Sequence, residues 1–132
     1  MSAALKDGRI ASDLSDIDPG RRLAAIELTL SAPSGEVSDE VLDALVGCVG
    51  AAQKTIQRRA IDALAAIAES GDARIVERLR IALSSDDRRV RWGAAYALGQ
   101  IGAGAFAMHV ADALCEALSD DDGDIRWAAA NL

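Results

Sequence analysis

The chain has 132 residues, of which 28 are Ala, 14 Leu, 10 Ile and 7 Val against 4 aromatics, and 14 Lys and Arg against 21 Asp and Glu leave a net charge of −7. A core of Ala and Leu requires closely packed helices and excludes long β-sheets, while an acidic chain repels phosphate backbones. No apolar stretch nears the ~20 residues that span a bilayer, and Lys6, Asp7 and Arg9 stand where a secretion signal would be apolar; the expected setting is cytoplasmic, which the distant Cys48 and Cys115 also suit.

Residues 1–17 predict a degenerate first helix, and helical spacing then predicts helices at about 20–31, 38–50, 53–69, 73–84, 87–101, 105–118 and 122–132. Ser38, Asp72, Asp86 and Asp121 are placed to cap helix N-termini, and Gly71, Gly99, Gly102 and Gly104 to terminate helices. Two apolar stripes alternate along the chain. Val41, Leu45, Cys48 and Val49 align with Ile75, Leu79, Ala82 and Leu83 and with Val110, Leu114, Ala117 and Leu118, forming one stripe on a series of A helices. Ile56, Ala60, Ala63, Leu64 and Ile67 align with Val90, Ala94, Ala97, Leu98 and Ile101, forming the other on a series of B helices.

These alignments are an internal repeat. A shift of 35 places 82–95 on 117–130 with 9 of 14 residues identical, among them Asp86, Asp87, Arg91, Trp92, Ala94 and Ala95 on Asp121, Asp122, Arg126, Trp127, Ala129 and Ala130. A weaker copy sets Ala24, Ala25 and Leu28 on Ala94, Ala95 and Leu98 and Asp16 on Asp86, which drops Glu27 onto the core position of Ala97. The expected organisation is one repeat domain over 1–132 with units of about 1–34, 35–70, 71–104 and 105–132. The last motif stops at Ala130-Asn131-Leu132, short of counterparts for Leu98 and Ile101, which reads as a truncated array able to self-associate through its open end. Within the units, Asp87 and Arg91, and Asp122 and Arg126, are spaced to pair along one helix.

The stretch Asp86-Asp87-Arg88-Arg89-Val90-Arg91-Trp92-Gly93-Ala94-Ala95-Tyr96-Ala97-Leu98-Gly99-Gln100-Ile101-Gly102 resembles the HEAT-like repeat of the type found in phycobilin lyase subunits, and Asp120 to Leu132 begins the same motif. The resemblance implies an all-α fold, a right-handed α-solenoid of about four HEAT-like helical hairpins whose B helices line the concave side. It implies either a non-enzymatic scaffold that binds a protein or peptide, or part of a chromophore-attachment subunit. An iron hydroxylase built on such repeats uses several His-Glu pairs, whereas the lone His109 here is followed by Val110, which excludes that activity. DNA glycosylases built on them need a basic concave surface; the net charge disfavours nucleic acid, although a local basic patch remains.

Opposite the core stripe, the B helices carry positions 89, 92, 93, 96 and 100, with 58, 59 and 62 and with 124, 127, 128 and 131 as counterparts. The candidate partner-binding residues on that face are Arg58, Arg59, Asp62, Arg89, Trp92, Tyr96, Trp127 and Asn131. Three of the four aromatics fall there, and Trp, Tyr and Arg are enriched at binding hot spots; packing of Trp92 on Trp127 is the competing explanation. The run Asp120-Asp121-Asp122-Gly123-Asp124 lacks the Gly and Glu spacing of a calcium loop, having Ile125 and Asn131 at those places, and reads as a capped turn. Cys48 aligns with Ala82 and Ala117 and is expected to be buried and inert; Cys115 and His109 are expected at the surface. No cofactor, metal or catalytic residue is expected.

Overall fold

The computed structural model describes residues 3–31, 37–102 and 107–130. Among the described residues there are eight helices and no strand: α1 (Ala3–Leu14), α2 (Pro19–Ser31), α3 (Asp39–Cys48), α4 (Lys54–Glu69), α5 (Arg74–Ala82), α6 (Arg88–Ile101), α7 (Ala107–Ala117) and α8 (Gly123–Ala130). Odd and even helices pair as hairpins, and each row also packs along itself, α1–α3–α5–α7 on one side and α2–α4–α6–α8 on the other. This is the two-layer stack of an α-solenoid. Packing is dense all along the even row but thins along the odd row from α3 to α7, so the even helices form the closer-set side. Among the described residues, no helix is long and apolar enough to cross a membrane.

Small side chains explain the tight even row. Ala60, Ala63, Ala94, Ala95 and Ala97 are fully buried, with Leu64 and Leu98 filling the space between repeats. Between the rows, the tightest fit at a described glycine is Gly93 of α6, where an added Cβ would collide with the carbonyl oxygen of Val49 at the end of α3 and stand 2.7 Å from its carbon. Gly50 likewise admits Val90, whose Cγ2 would be 2.6 Å from a Cβ at that position. Position 93 therefore belongs to the core rather than to the exposed face, as does Ala128, its counterpart one repeat later.

The predicted stripes are buried except at three positions. Val90 and Leu114 are half-buried, and Leu118 is exposed. Leu118 belongs to the last hairpin, which has no following even helix among the described residues to cover it as α6 covers Val49. The first repeat is also offset by one residue from the expected alignment. Ala25, Ile26 and Thr29 are buried while Ala24 and Leu28 are exposed, so Ala25 and Thr29 occupy the places of Ala94 and Leu98. The Thr29 hydroxyl donates to the Ala25 carbonyl at 3.0 Å, which satisfies its donor inside the core. Glu27 then faces outward.

The turns depend on side-chain capping, again one residue from the expected positions. Ser38 accepts from the Val41 N–H as predicted, but α6 is capped by Asp87, not Asp86, through the Arg89 N–H at 2.9 Å. Asp122, not Asp121, accepts from the Asp124 N–H at 2.9 Å. Asp72 accepts from the Arg74 N–H, with Ala73 between it and the start of α5. Gly71 and Gly102 end their helices with φ of 102° and 58°, a backbone region that favours glycine. Gly99 lies inside α6 and terminates nothing, and Gly104 lies outside the described residues.

Candidate functional site: a groove on the even-helix face

Successive even helices leave a groove of about 520 Å³ along their side, lined from α4 by Lys54, Gln57, Arg58 and Ile61, from α6 by Arg88, Arg89, Trp92 and Tyr96, and from α8 by Asp124 and Trp127. The spacing 54, 57, 58, 61 is one helical stripe, and 88, 89, 92, 96 is the next. Five predicted residues, Arg58, Arg89, Trp92, Tyr96 and Trp127, meet in this groove. Sequence reasoning missed Lys54, Gln57, Ile61 and Arg88, and it placed position 124 on this face without counting Asp124 among the binding residues. The signal for Lys54 and Arg88 was their equivalence one repeat apart at the first residue of an even helix.

Trp92 stacks on Tyr96, with ring centroids 5.1 Å apart and planes 17° from parallel. The pair found is thus Trp92 with Tyr96 rather than Trp92 with Trp127. Trp92 is partly buried against the core, which fixes the pair, whereas Tyr96 is 37% and Trp127 61% exposed. The groove therefore offers flat apolar surface on two helices.

The other expected residues lie elsewhere. Arg59 points to α2, where Nε and Nη2 donate to the two Glu27 carboxylate oxygens at 2.8 and 2.9 Å, and Nη1 to Asp62 at 3.2 Å. It ties two repeats together. Asp62 borders a smaller recess with Arg58, Ile61, Tyr96 and Gln100, and Asn131 lies outside the described residues.

Charge is distributed unevenly along the groove. Arg88 donates to Asp122 at 2.6 Å and to Asp124 at 3.1 Å; that guanidinium, with the Asp124 N–H, brings the Asp122 carboxyl down to about 2. Lys54, Arg58 and Arg89 have no ion pair among the described residues.

The expected Asp87–Arg91 and Asp122–Arg126 pairs are replaced by other contacts. Arg91 donates to the Ser85 and Asp86 carbonyls and to Asp120 of the next repeat, and Arg126 donates to the Asp120 and Asp121 carbonyls. Gln57 and Arg22 make the equivalent bonds to the Val49 and Leu14 carbonyls. The fourth residue of each even helix thus ties down the turn before it, and the acidic run at 120–124 acts as a capped turn and as a partner for Arg88 and Arg91. Cys48 is buried, its thiol donating to the Leu14 carbonyl at 3.3 Å, while Cys115 and His109 are exposed.

A family model for HEAT repeats matches residues 41–132. No curated protein matches the chain. Among 28 matching chains of solved structures, the crystal structure of an engineered protein aligns with a TM-score of 0.52 and 23% identity, over 92% of this chain. The chain spans 58% of that protein's length, and the likeness is one of fold.

Proposed function

The chain belongs to the HEAT-repeat family, and from that premise we propose that it is a non-enzymatic interaction module which holds a protein or peptide in the groove between α4, α6 and α8. The observation that carries this reading is the placement of the aromatics. An almost wholly aliphatic core leaves Trp92, Tyr96 and Trp127 lining one groove, two of them exposed, with Arg58 and Arg89 beside them. Large flat side chains kept in water at a concave surface favour binding, because a partner covering them gains apolar burial at little cost in side-chain entropy. Arg59 and Asp62 flank this face, with Arg59 joining α4 to Glu27 of α2 and Asp62 bonded to Arg59 within α4.

Affinity capture from a lysate, comparing the wild-type chain with the Trp92→Ala/Trp127→Ala variant, tests the assignment. The expected result is a retained protein that the variant loses while its helical circular dichroism is unchanged; identical retained sets would return both tryptophans to packing. The chromophore-attachment alternative rests on the repeat alone.

A further inference from the structure

The unpaired cations say what kind of segment the groove takes. In a chain of net charge −7, Lys54, Arg58 and Arg89 meet across the α4–α6 junction with no carboxylate paired to any of them among the described residues, while neighbouring Arg59 and Arg88 are each tied to two and Arg91 to one. Arg89 uses its main-chain N–H to receive the Asp87 cap, which leaves its guanidinium free of that carboxylate. Three uncompensated like charges within one groove repel one another, and an anionic occupant relieves that repulsion.

We infer that the occupant is a short acidic peptide segment with a flat apolar side chain, its carboxylates held by Lys54, Arg58 and Arg89 and its flat side chain laid against Trp127 or the Trp92–Tyr96 pair. The inference rests on the groove being the binding face. Length follows from helix spacing: neighbouring helices lie ~8–10 Å apart, so a segment crossing from α4 to α8 covers roughly 20 Å, about six extended residues. Carboxylates fit better than a nucleic-acid backbone because the cationic strip is bounded. Asp62 borders it on one side and Asp124 on the other, so a phosphate at every nucleotide step would meet an acid at either end, whereas a peptide places its charges only where the cations are.

The two tryptophans of the chain both line the groove, so their fluorescence reports on it directly. The probes are a blocked heptapeptide of three aspartates, one phenylalanine and three glycines; the same peptide with lysines for aspartates; the same with glycine for phenylalanine; and a thymidine hexamer. The expected result is a saturable emission change with the first peptide, matched by calorimetry, with at least tenfold weaker binding of the glycine peptide and none of the lysine peptide. Arg58→Glu/Arg89→Glu weakens the first peptide at least tenfold with unchanged circular dichroism, Asp124→Arg tightens it, and Arg80→Glu on the odd-helix row leaves it within twofold. Tighter binding of the lysine peptide or of the oligonucleotide, or no binding of the acidic peptide at millimolar concentration, overturns the inference. The capture experiment separates the two levels: a partner lost by the tryptophan variant but kept by Arg58→Glu/Arg89→Glu leaves the groove reading standing and removes the acidic occupant, whereas a partner kept by the tryptophan variant removes the groove reading itself.

Discussion

At the α4–α6 junction Lys54 and Arg89 line the groove together, unpaired; one repeat later, at the α6–α8 junction, the equivalent residues are Arg88 and Asp124, 3.1 Å apart and joined by an ion pair. Both junctions are built on the same helical repeat, with buried alanines facing the neighbouring helix. Arg58 has the uncharged Trp92 as its counterpart, and the second residue of the even helix changes sign, Arg89 in one repeat and Asp124 in the next. Because that position is exposed in both, the change costs no packing, and a repeat array can set the charge along its even-helix surface one residue at a time without altering its frame. The junctions also differ in how their turns are held. Asp87 and Asp122 cap α6 and α8 with their side chains, whereas Gln53 before α4 makes no side-chain cap and its turn is instead pressed on by Val90 against Gly50.

The largest effect expected from disturbing this comparison comes from Gly93→Ala. The added Cβ meets Val49 main chain, which cannot rotate away, so overpacking at the upper end of the usual range, about 3 kcal/mol, is expected as a fall in urea unfolding free energy. Ala128→Gly, at the equivalent position of the last repeat, gives the reference. A smaller and opposite change is expected from Gln53→Asp, which gives α4 the cap that α6 and α8 already have. Thermal or urea unfolding is expected to show about 0.5–1 kcal/mol of added stability, and no gain would mean that Val90 already holds the turn. The smallest effect is one of pH, confined to the second junction. Asp122 titrates at about 2 in the folded chain against an ordinary 3.8; its folded value is depressed, so its contribution is present above about 4 and is lost as pH falls from about 4 to 2. The protection of α8 amides against hydrogen exchange, relative to the intrinsic rate at each pH, is expected to fall over that range in wild type and to fall less in Arg88→Ala, where the main-chain donors to Asp122 remain.

The fold of α3 to α8 was legible because the Ala, Leu and Ile stripes recur every 34 or 35 residues, and no single surface change can hide such a pattern. The first repeat was harder, since Leu28 imitates Leu98 in the sequence whereas the buried position is Thr29, a residue that hydrophobic periodicity passes over. Local spacing also suggested Asp87–Arg91 and Asp122–Arg126 pairs, yet both aspartates are already committed to helix N-termini and both arginines reach back to turn carbonyls. In the groove, Trp92, Tyr96 and Trp127 could be placed from helical register alone. Arg59 shares that register but is drawn aside by Glu27, 32 residues away, a contact that depends on how α2 sits against α4.

The main-chain contact of Gly93 with Val49 has a mechanical consequence. With no side chain between them to tilt or compress, α6 is fixed to the end of α3 in the preceding repeat, while the odd row between α5 and α7 is joined far more loosely. Under tension the array is expected to part first along the α5–α7 seam and last at the joint between α6 and the end of α3.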